Sequence, residues 1–380
     1  MNTILTTEQK LLVETITKIV QEQVDIEALR RYRDDRSLPG YDPKLWQQLA
    51  ELGFLGLAIP ETYGGADLSF FEVCLLLEAT GSKLMPEPLL STTILATELL
   101  KMAGNKTLCQ EFLPKLATGN LIITLAHQEQ ESHYNRYHIE ATAKREGDTY
   151  TLNGRKTHVL DGHISDTYIM LFRTGGQTQD RDGLTLFLVP KDQTGLKVTR
   201  QHQIDGRNTA IIECTNIIVK ESARLGSENE AATLLDPIFD LATIALSAEM
   251  LGAAQAAFDL TLDYLKERQQ FDQPIGAFQA LQHRAARLFV DLSLARSAVL
   301  TAAAAAGNKN QDLALFASLA KAKMTDTFER ITSEGIQMHG GVGVTDEYDI
   351  GFYFKRARAA ATLFGDAAWH KNRLATLKGY

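Results

Sequence analysis

Y264-L-K-E-R-Q-Q-F-D-Q-P-I-G-A-F-Q-A-L-Q-H-R-A-A-R287 reads as a corner between two long helices, and the rest of the chain is organised around it. Upstream, Leu251, Ala254, Phe258, Leu262 and Leu265 recur in steps of three and four, which places them on one helical face. Asp272-Gln273-Pro274-Ile275-Gly276 breaks that helix, because proline lacks an N–H donor and disfavours a helical residue before it. A second helix restarts near Ala277 and runs on Leu281, Ala285, Leu288, Leu292, Ala295 and Val299. The corner carries Arg268, whose guanidinium fork suits phosphate. It also carries Phe271 and Phe278, flat apolar surfaces for a planar ring, and Gln279, an amide that donates and accepts. On spacing alone, the same residues also make an ordinary helical hairpin with an exposed arginine and two core phenylalanines.

Composition bounds the alternatives. At 380 residues the chain is long enough for two or three packed domains. Hydrophobic residues at 44% and charged residues at 23% are ordinary for a soluble globular protein. The net charge of −8, with no lysine-arginine block, argues against nucleic acid or an anionic membrane as partner. Cys74, Cys109 and Cys214 are too widely separated for a disulfide framework or a metal-ligand cluster, so no metal is expected. The N-terminus lacks a basic-then-apolar signal, and no uninterrupted apolar run approaches about 18 residues. The expectation is a cytoplasmic enzyme with no membrane span.

R268-Q-Q-F-D-Q-P-I-G-A-F-Q279 resembles the R-x-Q-F-G-x-x-I-x-x-F-Q signature of the acyl-CoA dehydrogenases, with Asp272 in place of the usual glycine. The resemblance implies FAD as cofactor, with Arg268 and Phe271 reaching the flavin of a neighbouring subunit and Gln279 beside them. It also implies a dimer or tetramer, an acyl-CoA or acyl-carrier thioester as substrate, and an electron-transfer flavoprotein as electron acceptor.

Taken in order, the chain opens helical. Thr6 and Gln9 offer a capping box before Leu12, Ile16, Ile19 and Val20. Asp42-Pro43 starts a further helix in cap-then-proline order, with Leu45, Leu49 and Leu52 on one face and Gly53 after it. G53-F-L-G-L-A-I-P-E-T-Y-G-G65 is an apolar loop with glycine hinges, and resembles a family phrase that lines the mouth of the acyl pocket. Helices are expected at Phe70–Gly81, Pro88–Ala103 and Lys106–Ala117. From Leu121 to Val219 short strands alternate with turn residues: Leu121–Ala126, His138–Lys144, Thr149–Leu152, Lys156–Leu160, Tyr168–Phe172, Leu184–Val189, Leu196–Gln201 and Ala210–Val219. Glu146-Gly147-Asp148, Asn153-Gly154, Gly175-Gly176 and Asp205-Gly206 punctuate them, which predicts an antiparallel barrel or sandwich. Helical periodicity resumes at about Glu228. The expected α+β layout is an N-terminal helical domain (1–120), a middle β domain (121–227) and a C-terminal four-helix bundle (228–380). A143-K-R-E-G-D-T-Y-T-L-N-G-R-K156 resembles a hairpin of the family's middle domain, so the resemblance covers nearly the whole chain.

Two further stretches bear on the cofactor. I336-Q-M-H-G-G-V-G-V-T-D-E-Y348 ends a helix striped by Leu313, Phe316, Ala320, Met324, Phe328 and Ile331. Glycines after a helix ordinarily mean a cap and a turn, and no strand precedes them as a Rossmann fingerprint requires. They also permit a ligand to approach backbone N–H groups closely. The phrase resembles the family's Q-x-x-G-G-x-G, which implies that Gln337, Gly340 and Gly341 bind FAD. In the strand K156-T-H-V-L-D-G162, His158 falls where the family has Trp or Phe against the flavin, and Leu160 near its Thr or Ser. Leu125-Ala126-His127-Gln128-Glu129 and the residues after it lack the family's G-A-G-S-D phrase.

The chemistry implied needs a carboxylate to remove an α-proton beside the thioester, hydrogen-bond donors for the developing enolate, and a flavin to take the β-hydrogen. Both positions that supply the family's glutamate are changed. In A361-T-L-F-G-D-A-A-W369 the place falls on Phe364 or Gly365, and on the preceding long helix it falls on Ala242. Three carboxylates lie near. Asp366 is one or two residues beyond the first place. Glu249 shares the helical face of Ala242 but sits about 10 Å further along. Asp240 points about 200° away from Ala242 around the helix. Glu249 and Asp366 are therefore the catalytic candidates. The alternatives are a base-less flavin-binding partner of a second dehydrogenase subunit, and a helical interaction protein without cofactor.

Overall fold

The computed structural model describes residues 5–308 and 312–380, which fall into two compact units. One unit holds the described residues up to Arg31, then Ser69–Met85 and Thr243–Tyr380. The other holds Tyr32–Leu68 and Pro86–Ala242. In chain order, helices come first: α1 (Thr7–Gln23), α2 (Ile26–Asp34), α3 (Pro43–Glu51), α4 (Phe70–Gly81), α5 (Thr97–Ala103) and α6 (Lys106–Ala117). The β region follows, with β1 (Ile123–Ala126), β2 (Thr142–Glu146), β3 (Thr149–Leu160), β4 (Thr167–Arg173), β5 (Leu184–Pro190), β6 (Leu196–His202), β7 (Asn208–Lys220) and β8 (Arg224–Leu225). Long helices close the chain: α7 (Ala231–Glu267), α8 (Gln279–Gly307), α9 (Leu313–His339), α10 (Ile350–Thr362) and α11 (Ala367–Leu377). An N-terminal helical region, a middle sheet and a C-terminal helical bundle are the expected fold class.

The local signals explain most of the helices. Thr6 and Gln9 exchange the two hydrogen bonds of a capping box at α1, and Asp42 accepts the Lys44 N–H at 2.9 Å at the start of α3. The stretch expected as one helix over Pro88–Ala103 is instead two elements. Leu89–Ala96 is a π-helix, and α5 follows it directly.

In the first unit, α4 crosses α7 through a pair of glycines. A side chain at Gly252 would overlap the Glu78 carbonyl, and one at Gly81 would overlap the Glu249 carbonyl. Close to that crossing, Arg356 of α10 and Glu249 of α7 form an ion pair at 3.1 Å, with both side chains almost fully buried. Arg356 also reaches the Leu84 carbonyl, and the Tyr353 hydroxyl donates to the Ser82 carbonyl at 2.7 Å. The inner turns of α10 are thus fastened to α7 and to the segment after α4. Arg30 holds the outer end of α10, pairing with Asp349 at 2.8 Å and lying over the Phe352 ring.

In the second unit the strands make one sheet in the order β6-β7-β3-β2-β4-β5-β8, with β1 pairing β4 in parallel. Most pairings are antiparallel. Asn153-Gly154, expected as a turn, lies inside the continuous strand β3. The register against β7 shifts there, and a side chain at Gly154 would overlap Ala141, so the glycine serves close approach of backbone rather than chain reversal. Tyr150, Tyr168, Phe172 and Phe187 fill the core of this unit. Arg173, at the end of β4, donates to six carbonyl oxygens, those of Tyr137, Ile139, Gly175, Thr178, Asp180 and Asp182. It thereby sets two irregular loops.

Two helices, α7 and α8, are long and apolar enough to cross a membrane by length and composition. Seventy-eight per cent of the most apolar window of α7 is buried within the protein, which marks it as a core helix. On α8 the share is 39%, and Phe289, Val290 and Leu294 stand exposed on its outer face.

Truncating one partner of a buried ion pair leaves an uncompensated charge, which typically costs about 3–5 kcal/mol. Arg356→Met is expected to lower stability in urea denaturation by about that much, and adding Glu249→Met is expected to recover most of it. An unchanged midpoint for the single variant would show the pair to be dispensable.

Candidate active site

The corner after α7 is a two-residue hairpin. Strands β9 (Gln269–Gln270) and β10 (Gln273–Pro274) pair antiparallel, and Phe271 and Asp272 form the turn with φ of 54° and 61°. A tight two-residue hairpin of the I′ kind needs positive φ at both positions, which Asp tolerates and a Phe adopts only under constraint. Phe271 is 82% exposed, and its ring meets Phe278 edge-on, with centroids 6.0 Å apart. Arg268 is exposed, and its guanidinium has no partner among the described residues. Gln279 is the exposed first residue of α8, whose N-cap Phe278 offers no side-chain acceptor. The corner therefore presents a cation, a flat ring and uncapped N–H groups together.

The end of α9 has a matching opening. Gln337 is exposed, and a Cβ at Gly340 or Gly341 would meet nothing within 4 Å. Gly343 differs, since a Cβ there would press on His339 and the Ile336 carbonyl. Gly340 has φ of 65°, so it also turns the chain. A stack that sequence reasoning missed joins this end to the corner. The His339 ring lies 4.4 Å from Tyr264, at the end of α7, and 4.7 Å from Tyr348. Its Nδ1 is 2.6 Å from the Gly335 carbonyl, and burial holds its pKa below the usual histidine range. The structure brings Arg268, Phe271, Gln279, Gln337, Gly340 and Gly341 into one unit.

His158 and Leu160 lie in the other unit. Between Lys156 and Val159 the register of β3 against β7 shifts, and His158 has φ of 50° in the resulting bulge. The bulge turns His158 out to an exposed position. The Leu160 carbonyl accepts from Thr124 Oγ1 at 2.6 Å, which ties the end of β3 to β1. Where the family's G-A-G-S-D phrase is missing, Glu129 instead organises the loop. It pairs with buried Lys156 at 2.6 Å and accepts the N–H groups of Glu140 and Ala141. His127 stacks on Phe239 at 4.6 Å; burial, then the charges of Lys156 and Arg136, push its pKa down to about 3.

Each candidate base is engaged. Glu249 is held by Arg356 in the buried pair at 3.1 Å. Asp366 caps α11 by accepting the Trp369 N–H at 2.8 Å. Asp240 is buried and pairs with Arg136 at 3.8 Å. The turn before Asp366 is held firmly. Phe364 has φ of 61°, and fully buried Lys321 donates to the Ala361 carbonyl at 3.1 Å and the Gly365 carbonyl at 2.9 Å.

Comparison with known proteins places the chain in a family. Models of the acyl-CoA dehydrogenase N-terminal, middle and C-terminal domains match residues 6–120, 124–218 and 235–377. The chain belongs to the acyl-CoA dehydrogenase family. This acyl-CoA dehydrogenase is 31% identical to the acyl-CoA dehydrogenase IpdE2 of Mycolicibacterium smegmatis over 97% of each chain. It is 32% identical to IpdE2 of Mycobacterium tuberculosis, over 94% of this chain and 92% of that one. Among solved structures, a variant of the Tcur3481–Tcur3483 steroid acyl-CoA dehydrogenase superposes with a TM-score of 0.86 at 29% identity, covering 98% of this chain and 97% of that one. A structure described as an electron transferring flavoprotein of Acidaminococcus fermentans superposes with a TM-score of 0.92 at 25% identity over the whole of both chains. The family comprises FAD-dependent oxidoreductases that dehydrogenate acyl-CoA thioesters, and this chain is one of them.

His127 binds its proton less readily folded than unfolded, so between about pH 6.5 and 3 the unfolded chain carries more protons. Stability is therefore expected to fall on acidification through that window, by up to about 1.4 kcal/mol per pH unit from this group. His127→Gln should flatten the corresponding part of a stability–pH curve.

Proposed function

We propose that the chain binds FAD through Arg268, Phe271, Gln279, Gln337, Gly340 and Gly341, with His158 and Leu160 on the flavin side of the β region. The open backbone at Gly340 and Gly341 supports this, because nothing in the described chain fills the space a side chain would take. Arg268 would pair with phosphate through its fork, and Phe271 would lie against a ring. The chemistry that bound FAD supplies is acceptance of the β-hydrogen as hydride.

The α-proton is removed, on this reading, by a carboxylate of a second dehydrogenase subunit. One observation carries it: Glu249 and Asp366 are each committed to a structural partner, while Phe364 stands in the turn where the family's base is found. A relative whose description names two components, Tcur3481 and Tcur3483, supports a paired assembly. The exposed apolar face of α8 offers a surface on which subunits would pair. The substrate is an acyl-CoA thioester, electrons pass to an electron-transfer flavoprotein, and the enzyme works in the cytoplasm. Domain boundaries at 120/121 and 227/228 complete the proposal.

Arg268→Ala is expected to weaken FAD binding by about 10- to 150-fold, the worth of a charge-assisted contact of roughly 1.5–3 kcal/mol. Gly341→Val should leave the stability of the apoprotein unchanged yet weaken FAD at least about tenfold, since its side chain enters open space. FAD titration with fluorescence detection checks both, and unchanged affinities would refute the assignment.

Under anaerobic conditions the flavin of the isolated chain is expected to stay oxidised with a panel of acyl-CoAs, and to bleach once its partner is added. Phe364→Glu should restore bleaching to the isolated chain. If the wild type bleaches alone, the partner reading fails, and Glu249→Gln and Asp366→Asn then show which carboxylate takes the proton.

A further inference from the structure

The first unit carries a cavity of about 870 Å³ that shares no residue with the corner, the end of α9 or the candidate bases. It lies between α1, α4, α7, α8 and the start of α10, with Val13, Ile26, Leu75, Leu260 and Leu300 on its walls. The helices leave room there because the residues they present are small, Gly252 and Ala256 on α7 and Ala79 on α4. Small-molecule sites have this character, about 300–1,000 Å³ of mostly apolar wall with a few polar groups. Most charges around the cavity are matched. Arg296 pairs with Glu78 at 2.6 Å, Arg30 with Asp349 at 2.8 Å, and Lys266 with Asp263 at 3.0 Å. Two charges of opposite sign are left. Asp259 has only the neutral Gln255 amide, at 2.9 Å. Lys83, half-buried just after α4, has no hydrogen-bond or ion-pair partner for its ammonium among the described residues. A partly desolvated charge without a counter-charge is costly, and a ligand that supplies one relieves it.

We infer that this cavity is a second ligand site, for a zwitterion with an apolar body whose carboxylate meets Lys83 and whose ammonium meets Asp259. The balance of charge selects that class. A chain with only a carboxylate would meet Lys83 but face Asp259 and Asp263, and a chain with only an amine would meet Asp259 but face Lys83 and Arg296. A ligand bearing both charges matches both groups. Helix geometry sets their separation. A Cβ at Gly252 would lie 3.2 Å from the Ser82 nitrogen, so Lys83 starts level with Gly252. Asp259 stands seven residues beyond Gly252 on α7, about 10 Å at 1.5 Å per residue. The two charges of the ligand are therefore far apart, as in an ω-amino acid, rather than on one carbon as in an α-amino acid. Between them the apolar walls cover the chain. Bound in this way, the ligand bridges α4 and α7 beside their glycine crossing.

Isothermal titration of the full chain with three probes of one chain length, ω-aminooctanoate, octanoate and octylamine, tests this. Wild type should bind ω-aminooctanoate at least about fivefold more tightly than either singly charged chain. Lys83→Met should bring its affinity to within about twofold of octylamine, and Asp259→Asn to within about twofold of octanoate. Ala256→Phe fills the space and should abolish binding of ω-aminooctanoate. Failure of ω-aminooctanoate to bind, equal or tighter binding of a singly charged chain, a Lys83 or Asp259 variant that keeps the preference, or a folded Ala256→Phe protein that still binds would each overturn the inference. Should Ala256→Phe not fold, the Lys83 and Asp259 variants still decide, because both side chains stand at least partly in solvent. FAD uptake, followed in the same samples by flavin absorbance, reports on the cofactor reading separately, since no residue proposed to hold FAD lines the cavity.

Discussion

The buried pair between Glu249 and Arg356 governs the helical unit that carries the corner. Two charges taken out of water are costly, and only close pairing with further hydrogen bonding makes them tolerable. Arg356 meets that demand by also reaching the Leu84 carbonyl, so one guanidinium joins α10, α7 and the segment after α4. With α7 fixed in this way, Tyr264 at its far end has a defined place against His339, and the hairpin of Phe271 and Asp272 projects from a rigid base. A carboxylate used thus for architecture is poorly placed to exchange protons in each turnover. That is the physical sense in which Glu249 belongs to the frame of the helical unit.

Much of the fold was legible because its signals are local. The capping box at Thr6, the Asp42 cap and the apolar periodicity of α4 and α6 need only neighbours in sequence, and those helices stand where expected. α2 escaped notice because Ile26–Asp34 is mostly polar, with only Ile26 and Leu29 buried. The π-helix could not be read either, since Leu89–Ala96 is apolar or small throughout and has no periodicity to betray its pitch. Asn153-Gly154 looked like a turn, and only the approach of Ala141 from β2's side shows why a glycine is needed mid-strand.

For the candidate site, the corner and the end of α9 were legible only through their resemblance to family phrases, because by local rules an arginine, two phenylalanines and paired glycines there also fit a plain hairpin and a helix cap. The Tyr264–His339–Tyr348 stack was missed, since its members are distant in the chain and each alone reads as core. The commitments of Glu249 and Asp240 depend on partners that only tertiary structure brings near. Asp366 is different: an Asp immediately before Ala367-Ala368-Trp369 is a helix cap by local rules, and that signal was available.

The crossing of α4 and α7 has an evolutionary consequence. Gly81 and Gly252 each face the backbone of the opposite helix, so the space between the helices is set by main chain alone and no rotamer change can relieve an intruding Cβ. A mutation at either site would force the helices apart and draw Glu249 away from Arg356. A compensating change at the other could not help, because that position is already as small as an amino acid can be. Sequence drift in lineages that keep this fold therefore meets a wall at these two positions, and adaptation to new acyl groups must run through other residues.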